Sequence, residues 1–406
     1  MLILKLAFRN LFRNTRRTLL TCILVSSSLV ALILVDGLVL GATDIMIGGI
    51  THTLEGEAQV YRSGFRDNLE ADLYIENPEP IMATLAADAG VMGYAPRVLV
   101  GGMVASSYNT TGGLIYGVDY RQEENVSLIR EAIIEGSYLT GGDREILIGK
   151  PMAELLEVEI GDRIILTAAT VNTNDIAQEL FRVSGIFEFG PDEMDETYVF
   201  INLPKAQGFL GMENHLHQIA IRFHDREDSR NRQLPLLQSL NQGNIEARGW
   251  LDLQPAFGAM IDMTNYSTAI VGAILFLLTS LGVINSMFMA IYERIYEFGV
   301  AKAIGTRPGQ IISLVLVEAL LLALLSCAAG IVIGYLANHY FSIHGVPMGE
   351  FEAAGVAIRG NVETRVALYQ YINFPFYVTL LTLVAALYPA WFASRIVPTQ
   401  ALQRAL

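Results

Sequence analysis

Four stretches of this chain are apolar enough and long enough to cross a bilayer, which takes about 20 mostly apolar residues in helical form. The first runs from Thr18 to Ala42, with Leu29 to Val35 unbroken. The second is Ala269 to Tyr292, the third Ile311 to Leu336 and the fourth Phe374 to Phe392. Hydrophobic residues make up 52% of the 406 positions and charged ones only 17%, with a mean hydropathy of +0.41. A soluble chain of this length needs more polar surface, so part of this one is solvated by lipid. Tyr266, Tyr292, Tyr335, Tyr377 and Trp391 stand near the ends of the runs, where amphipathic rings favour the interface.

The basic residues orient the spans. Lys5, Arg9, Arg13, Arg16 and Arg17 precede the first; Arg294, Lys302 and Arg307 lie between the second and third; Arg395 and Arg404 follow the fourth. All fall on one side of a four-span topology, and the positive-inside rule makes that side cytoplasmic, both termini included. The first run is longer than a signal-peptide core of about 7–15 residues, so a retained anchor is expected. Residues 2–17 read as an amphipathic helix on the membrane, with Leu4, Phe8, Leu11 and Phe12 on one face and Lys5, Arg9, Arg13 and Arg16 on another.

Between the first two spans the pattern changes to short alternating strands. Glu145–Gly149, Arg163–Ala168, Phe181–Phe187, Thr197–Ile201 and Gln218–Phe223 read as strands, and Pro151–Leu156 and Leu203–Leu210 as helices. Interleaved strands and short helices indicate an α+β domain. The fold class expected is therefore an α-helical membrane protein of four transmembrane helices with stalk extensions, plus a large exported α+β domain inserted between helices 1 and 2. The expected divisions are 1–17 amphipathic helix, 18–50 first span and stalk, 51–252 exported domain, 253–292 stalk and second span, 293–310 cytoplasmic loop, 311–336 third span, 337–373 outer loop, 374–392 fourth span and 393–406 tail.

Several chemistries are excluded. Cys22 and Cys327 sit inside apolar runs, so neither a disulfide framework nor a metal site is expected. His215 and His217 have a strand-like spacing but read as two ordinary histidines. Gly142 to Lys150 is not a phosphate-binding loop: Gly142 and Gly149 are too far apart, and Pro151 follows Lys150 where Ser or Thr is needed. No nucleophile elbow, zinc-protease motif or catalytic carboxylate pair is present. No enzyme activity and no nucleic-acid partner are expected.

The most informative segment is Tyr292 to Gln310. It is long enough for a short helix, Glu293 to Ala303, capped at Gly305. Glu293 and Glu297, and Arg294 and Phe298, are each four residues apart, so an acidic edge lies beside an aromatic side chain. Glu293, Arg294, Glu297, Phe298, Gly299, Lys302, Ala303, Ile304 and Gly305 resemble the coupling-helix pattern of the permease family that includes the MacB-type, lipoprotein-releasing (LolC/LolE) and FtsX-like ABC transporter proteins. Lys302 stands where arginine is commoner, keeping the charge without the planar fork. Tyr388-Pro389-Ala390, Ala393-Ser394-Arg395 and Pro398 to Leu402 resemble the family's ending, with Trp391 in place of a basic residue. Gly136 to Leu139, the Gly161-Asp162 turn and Val183 to Phe187 resemble its exported domain. In layout the chain most resembles the lipoprotein-releasing permeases.

The resemblance implies a bacterial inner-membrane protein and a division of labour. Two permease chains pair, as homodimer or heterodimer, and each coupling helix docks on one of two separate cytoplasmic ATPase subunits. ATP and Mg2+ belong to that partner, with no cofactor on this chain. Glu293, Arg294, Glu297 and Phe298 are the expected docking face, while Gly299 and Gly305 allow close packing and the turn. The cargo implied is a lipoprotein or other amphiphile drawn from the outer leaflet, with Met46, Met260 and Met263 as an adaptable cavity lining. The alternatives are MacB-type mechanotransmission to an outer-membrane partner and FtsX-like regulation of a cell-wall hydrolase. The polar stretch Ala168 to Glu179 lacks the extended arm by which a Lol permease recruits its periplasmic carrier. Asp36 and Glu318 are acids within spans, and such residues mark either function or an internal partner. A structural role is expected for both. Gly282, Ala328, Ala329, Gly330 and Gly334 are expected to let helices approach closely.

Overall fold

The computed structural model describes all residues except 1, 172–174, 191, 226–227, 229–233, 350, 354–355, 359–360 and 399–406. Two compact units emerge. One comprises residues 1–44, 261–349 and 360–406, the other residues 45–260 and 350–359.

The first unit is built on long apolar helices. Helix α1 (Leu2–Leu11) is followed by a turn over residues 12–14 and by α2 (Thr15–Ile50). The single amphipathic helix expected over 2–17 is therefore broken. The break holds because Thr18 Oγ1 donates to the carbonyl of Leu11 at 2.7 Å, folding α1 back on α2. Leu4, Phe8 and Phe12 remain exposed, as a lipid-facing edge requires, while Ala7 and Leu11 are buried. Then come α3 (Pro255–Glu293), the short α4 (Ile295–Ala303), α5 (Pro308–His344) and α6 (Asn373–Ser394). Four helical stretches, those containing α2, α3, α5 and α6, are long and apolar enough to span a membrane.

Each helix is longer than its apolar run. At 1.5 Å per residue the 36 residues of α2 reach about 54 Å, well beyond the hydrocarbon core. Val25, Leu29 and Ile33 of α2 pack with Val283 and Met287 of α3, Val315 and Ala319 of α5, and Ala386 and Ala390 of α6. Ser26 Oγ donates to the carbonyl of Ser326 at 2.9 Å, and an added Cβ at Gly330 would meet Leu29 at 2.9 Å. Small residues thus bring α2 and α5 together. Ala328 and Ala329, grouped with them above, are exposed instead.

The outer loop expected over 337–373 is more ordered than a plain connection. Helix α5 continues to His344, two-residue strands pair Val346–Pro347 with Asn361–Val362, and a 3₁₀ turn covers Leu368–Tyr371.

The second unit is the α+β domain. Its strands are β1 (Ala58–Arg62), β2 (Val91–Ala105), β3 (Thr110–Val118), β4 (Ile133–Gly136), β5 (Glu145–Gly149), β6 (Arg163–Ala169), β7 (Ile176–Phe187), β8 (Tyr198–Asn202), β9 (Gln218–Phe223) and β10 (Ile245–Gly249). They form one sheet in the order β10-β1-β9-β2-β3-β8-β5-β7-β4, with β6 pairing both β2 and β7. The pairs β3–β8 and β5–β7 are parallel and the other pairs antiparallel. Val98, Ile115, Ile148, Phe181 and Ile201 lie in its larger core beneath short helices such as Leu203–Leu210. Arg97, fully buried on β2, forms a two-pronged ion pair with buried Glu123, at 2.5 and 3.1 Å.

His217 is also buried: its Nδ1 accepts from the amide of Leu99 and its Nε2 lies 2.9 Å from the carbonyl of Ala71. Both ring nitrogens are thus used within the fold, and His215 stacks on Tyr74.

Candidate functional site: the helix between the second and third spans

Helix α4 begins later than its sequence suggests. Glu293 is the last residue of α3, and Arg294 turns the chain with φ −115° before α4 starts at Ile295. The other end behaves as read. Gly305 has φ +105°, its amide donates to Lys302 O at 3.0 Å, and the amide of Thr306 donates to Ala301 O at 3.0 Å. This pair of bonds is the Schellman arrangement that left-handed glycine permits.

Four anchors hold α4 and the two residues that lead into it, from three different helices and the turn before α2. Arg13 Nη1 lies 2.5 Å from Glu297 Oε1. Arg17 Nη1 lies 2.6 Å from Glu293 Oε2, with Asn14 Nδ2 donating to the same carboxylate at 3.3 Å. Arg294 reaches Glu318 Oε2 on α5 at 3.1 Å and Glu297 Oε2 at 3.1 Å, with its guanidinium 5.2 Å from the Phe298 ring centre. Lys302 Nζ donates to the carbonyls of Ser394 and Ile396, each at 2.9 Å. A cation at the C-terminal carbonyls of α6 satisfies groups that a helix end leaves without partners. Burial alone raises the Glu297 carboxyl, but the Arg13 and Arg294 hydrogen bonds and charges outweigh it and hold its pKa below the usual value.

These contacts divide the residues of the expected docking face between the interior and the surface. Arg294 is 7% exposed and Phe298 4%, because Glu318 draws the guanidinium inward and the ring packs beneath it. Gly299 is buried as well, and Lys302 is turned to α6. Glu293 and Glu297 lie at the surface but are engaged with Arg17 and Arg13. What α4 and its cap present outward is Tyr296, Ala303, Ile304 and Gly305, with Ile304 82% exposed.

The intramembrane acids also have partners. Glu318 serves Arg294. Asp36 accepts from Tyr369 Oη at 2.6 Å and Gln370 Nε2 at 2.8 Å. Around it, Asn338 Nδ2 donates to the carbonyl of Arg365, to Gln370 Oε1 and to Tyr371 Oη, and Arg365 pairs with Asp44. The backbone passes closely here: a Cβ on Gly41 would sit 1.8 Å from the carbonyl oxygen of Glu363. Sequence reading missed Arg13 and Arg17 as partners of the loop, and Asn338 as a hub. Asn338 lies two residues past the third apolar run, where a polar side chain gives no signal.

Met46 and Met260 are half-buried and Met263 is 71% exposed. Of the stretch Ala168 to Glu179, residues 172–174 lie outside the described residues, as do Thr399 to Leu402 of the expected ending.

Residues 18–231 match the family described as the MacB-like periplasmic core domain, and residues 269–398 the FtsX-like permease C-terminal family. The chain is 22% identical over 339 residues to the lipoprotein-releasing system transmembrane protein LolC of Xylella fastidiosa, covering 79% of this chain and 80% of that one. It is 26% identical over 218 residues to the macrolide export ATP-binding/permease protein MacB of Burkholderia pseudomallei, covering 52% of this chain and 31% of that protein. The crystal structure of the periplasmic region of MacB from Actinobacillus actinomycetemcomitans aligns with a TM-score of 0.36 at 12% identity, over 50% of this chain and 94% of that one. With four spanning helices, an α+β domain between the first two and both family matches in place, this chain belongs to the FtsX-like ABC transporter permeases with a MacB-like periplasmic core domain, as a non-catalytic membrane subunit.

Proposed function

We propose that this permease couples ATP hydrolysis by cytoplasmic ATPase subunits to movements of its periplasmic domain, and that the cargo is a lipoprotein or other amphiphile taken from the outer leaflet. The observation that carries the coupling is the anchoring of the segment Glu293–Lys302, which holds α4. A segment tied by ion pairs and hydrogen bonds to α2, α5 and α6 transmits displacement to the spans rather than absorbing it. Its outward residues, Tyr296 and Ile304, are the docking surface in this reading. The basic residues from Lys5 to Arg17 support a cytoplasmic position for that end and for both termini. ATP and Mg2+ are bound by the partner ATPase, and a second permease chain completes the complex.

The similarity to LolC over most of both chains supports the lipoprotein cargo. The match to the MacB-like periplasmic core supports a second reading, mechanotransmission toward an outer-membrane partner. Purifying the chain from its native membrane in mild detergent tests both. An ATPase subunit and a lipidated protein should come with it. Recovery with an outer-membrane conduit and no lipidated protein favours the second reading, and recovery with no ATPase overturns the coupling role.

A further inference from the structure

Ala328 and Ala329 lie in the middle of α5, yet both are exposed. They face a groove of about 620 Å³ walled by the end of α1 and the start of α2. Its sides are Leu11, Phe12, Leu19 and Cys22, with Leu325 beside the two alanines. Leu11, Cys22 and Leu322 form a buried cluster beneath. Such a hollow on the flank of a spanning helix opens to lipid and is lined by what an acyl chain contacts.

The polar end of the groove is specific. Thr15 and Arg16 stand at its mouth. Arg13 and Arg17, on either side, are engaged with Glu297 and Glu293. Arg16 is exposed, and among the described residues it has no carboxylate partner. One end of the groove is therefore cationic and the rest apolar, which is the complement of an anionic phospholipid.

We propose that this groove binds one anionic phospholipid of the surrounding leaflet, with an acyl chain over Ala328 and Ala329 and the phosphate on Arg16. The alanines are small to make room for the chain, not to bring two helices together. The site adjoins Arg13 in the turn and Arg17 in the first helical residues of α2, so its occupant helps hold the same segment that anchors α4.

The full-length chain, incorporated in nanodiscs of mixed phosphatidylglycerol and phosphatidylcholine and released for native mass spectrometry, tests this. Phosphatidylglycerol should be retained over phosphatidylcholine by about five-fold, equivalent to about 1 kcal/mol for one basic residue at a membrane surface. Arg16→Gln should abolish that preference while lipid is still retained. Ala329→Leu, which fills the groove from an exposed position, should remove retention of both lipids with elution and melting unchanged. Equal retention of the two lipids by the wild type overturns the proposal, as does an undiminished preference in Arg16→Gln. So does retention of an apolar peptide or a second copy of the chain in place of lipid. Arg16 is exposed, so its variant remains informative even if Ala329→Leu fails to fold.

Discussion

The guanidinium of Arg294 lies 3.1 Å from the carboxylate of Glu318, and both side chains are less than a tenth exposed. Two residues separated by α4, a tight turn and about a quarter of α5 thereby neutralise each other near the end of a membrane-spanning bundle. Neither charge is tolerable there alone.

Glu318→Gln should therefore destabilise the chain by about 3 kcal/mol, the low end for breaking a buried pair, because Arg294 keeps its contact with the surface carboxylate of Glu297. The double variant Arg294→Met, Glu318→Met should recover most of that loss, because it removes both charges. Thermal unfolding in detergent measures both, and a double variant no better than the single one contradicts the assignment.

Glu297→Lys should abolish coupled ATPase activity in the reconstituted complex while the chain still inserts in the membrane. The substitution turns the Arg13 and Arg294 contacts into repulsions and frees the turn before α2. Adding Arg13→Glu should restore part of the activity through a reversed pair. Normal transport by Glu297→Lys alone is incompatible with α4 as the coupling element.

Ile304→Asp should weaken ATPase association at least ten-fold, since about 1.4 kcal/mol is tenfold and a desolvated charge at an interface costs more. Melting should stay unchanged, because the side chain is 82% exposed. Pull-down of the ATPase against the variant chain reads this directly.

Burial lowers the pKa of His217 to about 4, against which only the hydrogen bond to Ala71 works. Its unfolded value is about 6.5. The neutral ring is the folded form, so its contribution is complete above the unfolded value and is lost as pH falls toward the folded one. Between pH 7 and pH 4 the loss is about 3 kcal/mol. His217→Gln should start less stable and show a flatter pH dependence. Melting curves of the full chain across that range decide it.

Gly41→Ala should cost about 1–3 kcal/mol through overpacking, because its Cβ meets backbone rather than a movable side chain. Gly37→Ala should cost a comparable amount, since its Cβ meets the side-chain oxygen of Asn338 at 2.5 Å and the backbone oxygen of Arg365 at 3.1 Å, and three hydrogen bonds hold the Asn338 amide in place. Thermal unfolding in detergent reads both, and an unchanged melting point at either site contradicts the close approach.

Local pattern made much of this fold readable. Strands β5 and β9 and the helix Leu203–Leu210 run between the residues where their apolar alternation and turns place them. Strand β2 escaped because Pro96, Gly101 and Gly102 interrupt it and Arg97 reads as exposed. The partner that permits Arg97 to be buried, Glu123, lies 26 residues away. The same limit applies at α4. Its motif and Gly305 cap were legible, but the side it turns inward depends on Glu318, 24 residues further on, and on arginines near the N-terminus. Charge counting used those arginines only for orientation, because opposite charges hundreds of residues apart carry no mutual signal in a linear sequence.

Lys302 reaches the carbonyl of Ser394 at the end of α6 and that of Ile396 just past it with a single flexible stem. In terms of degrees of freedom, α4 and the end of α6 then share one joint that resists separation but allows rotation. Helix α3 leads into α4 by the one-residue turn at Arg294. In the coupling role proposed above, a push on Ile304 would reach α6 through a joint that can swivel and α3 through a short stiff turn.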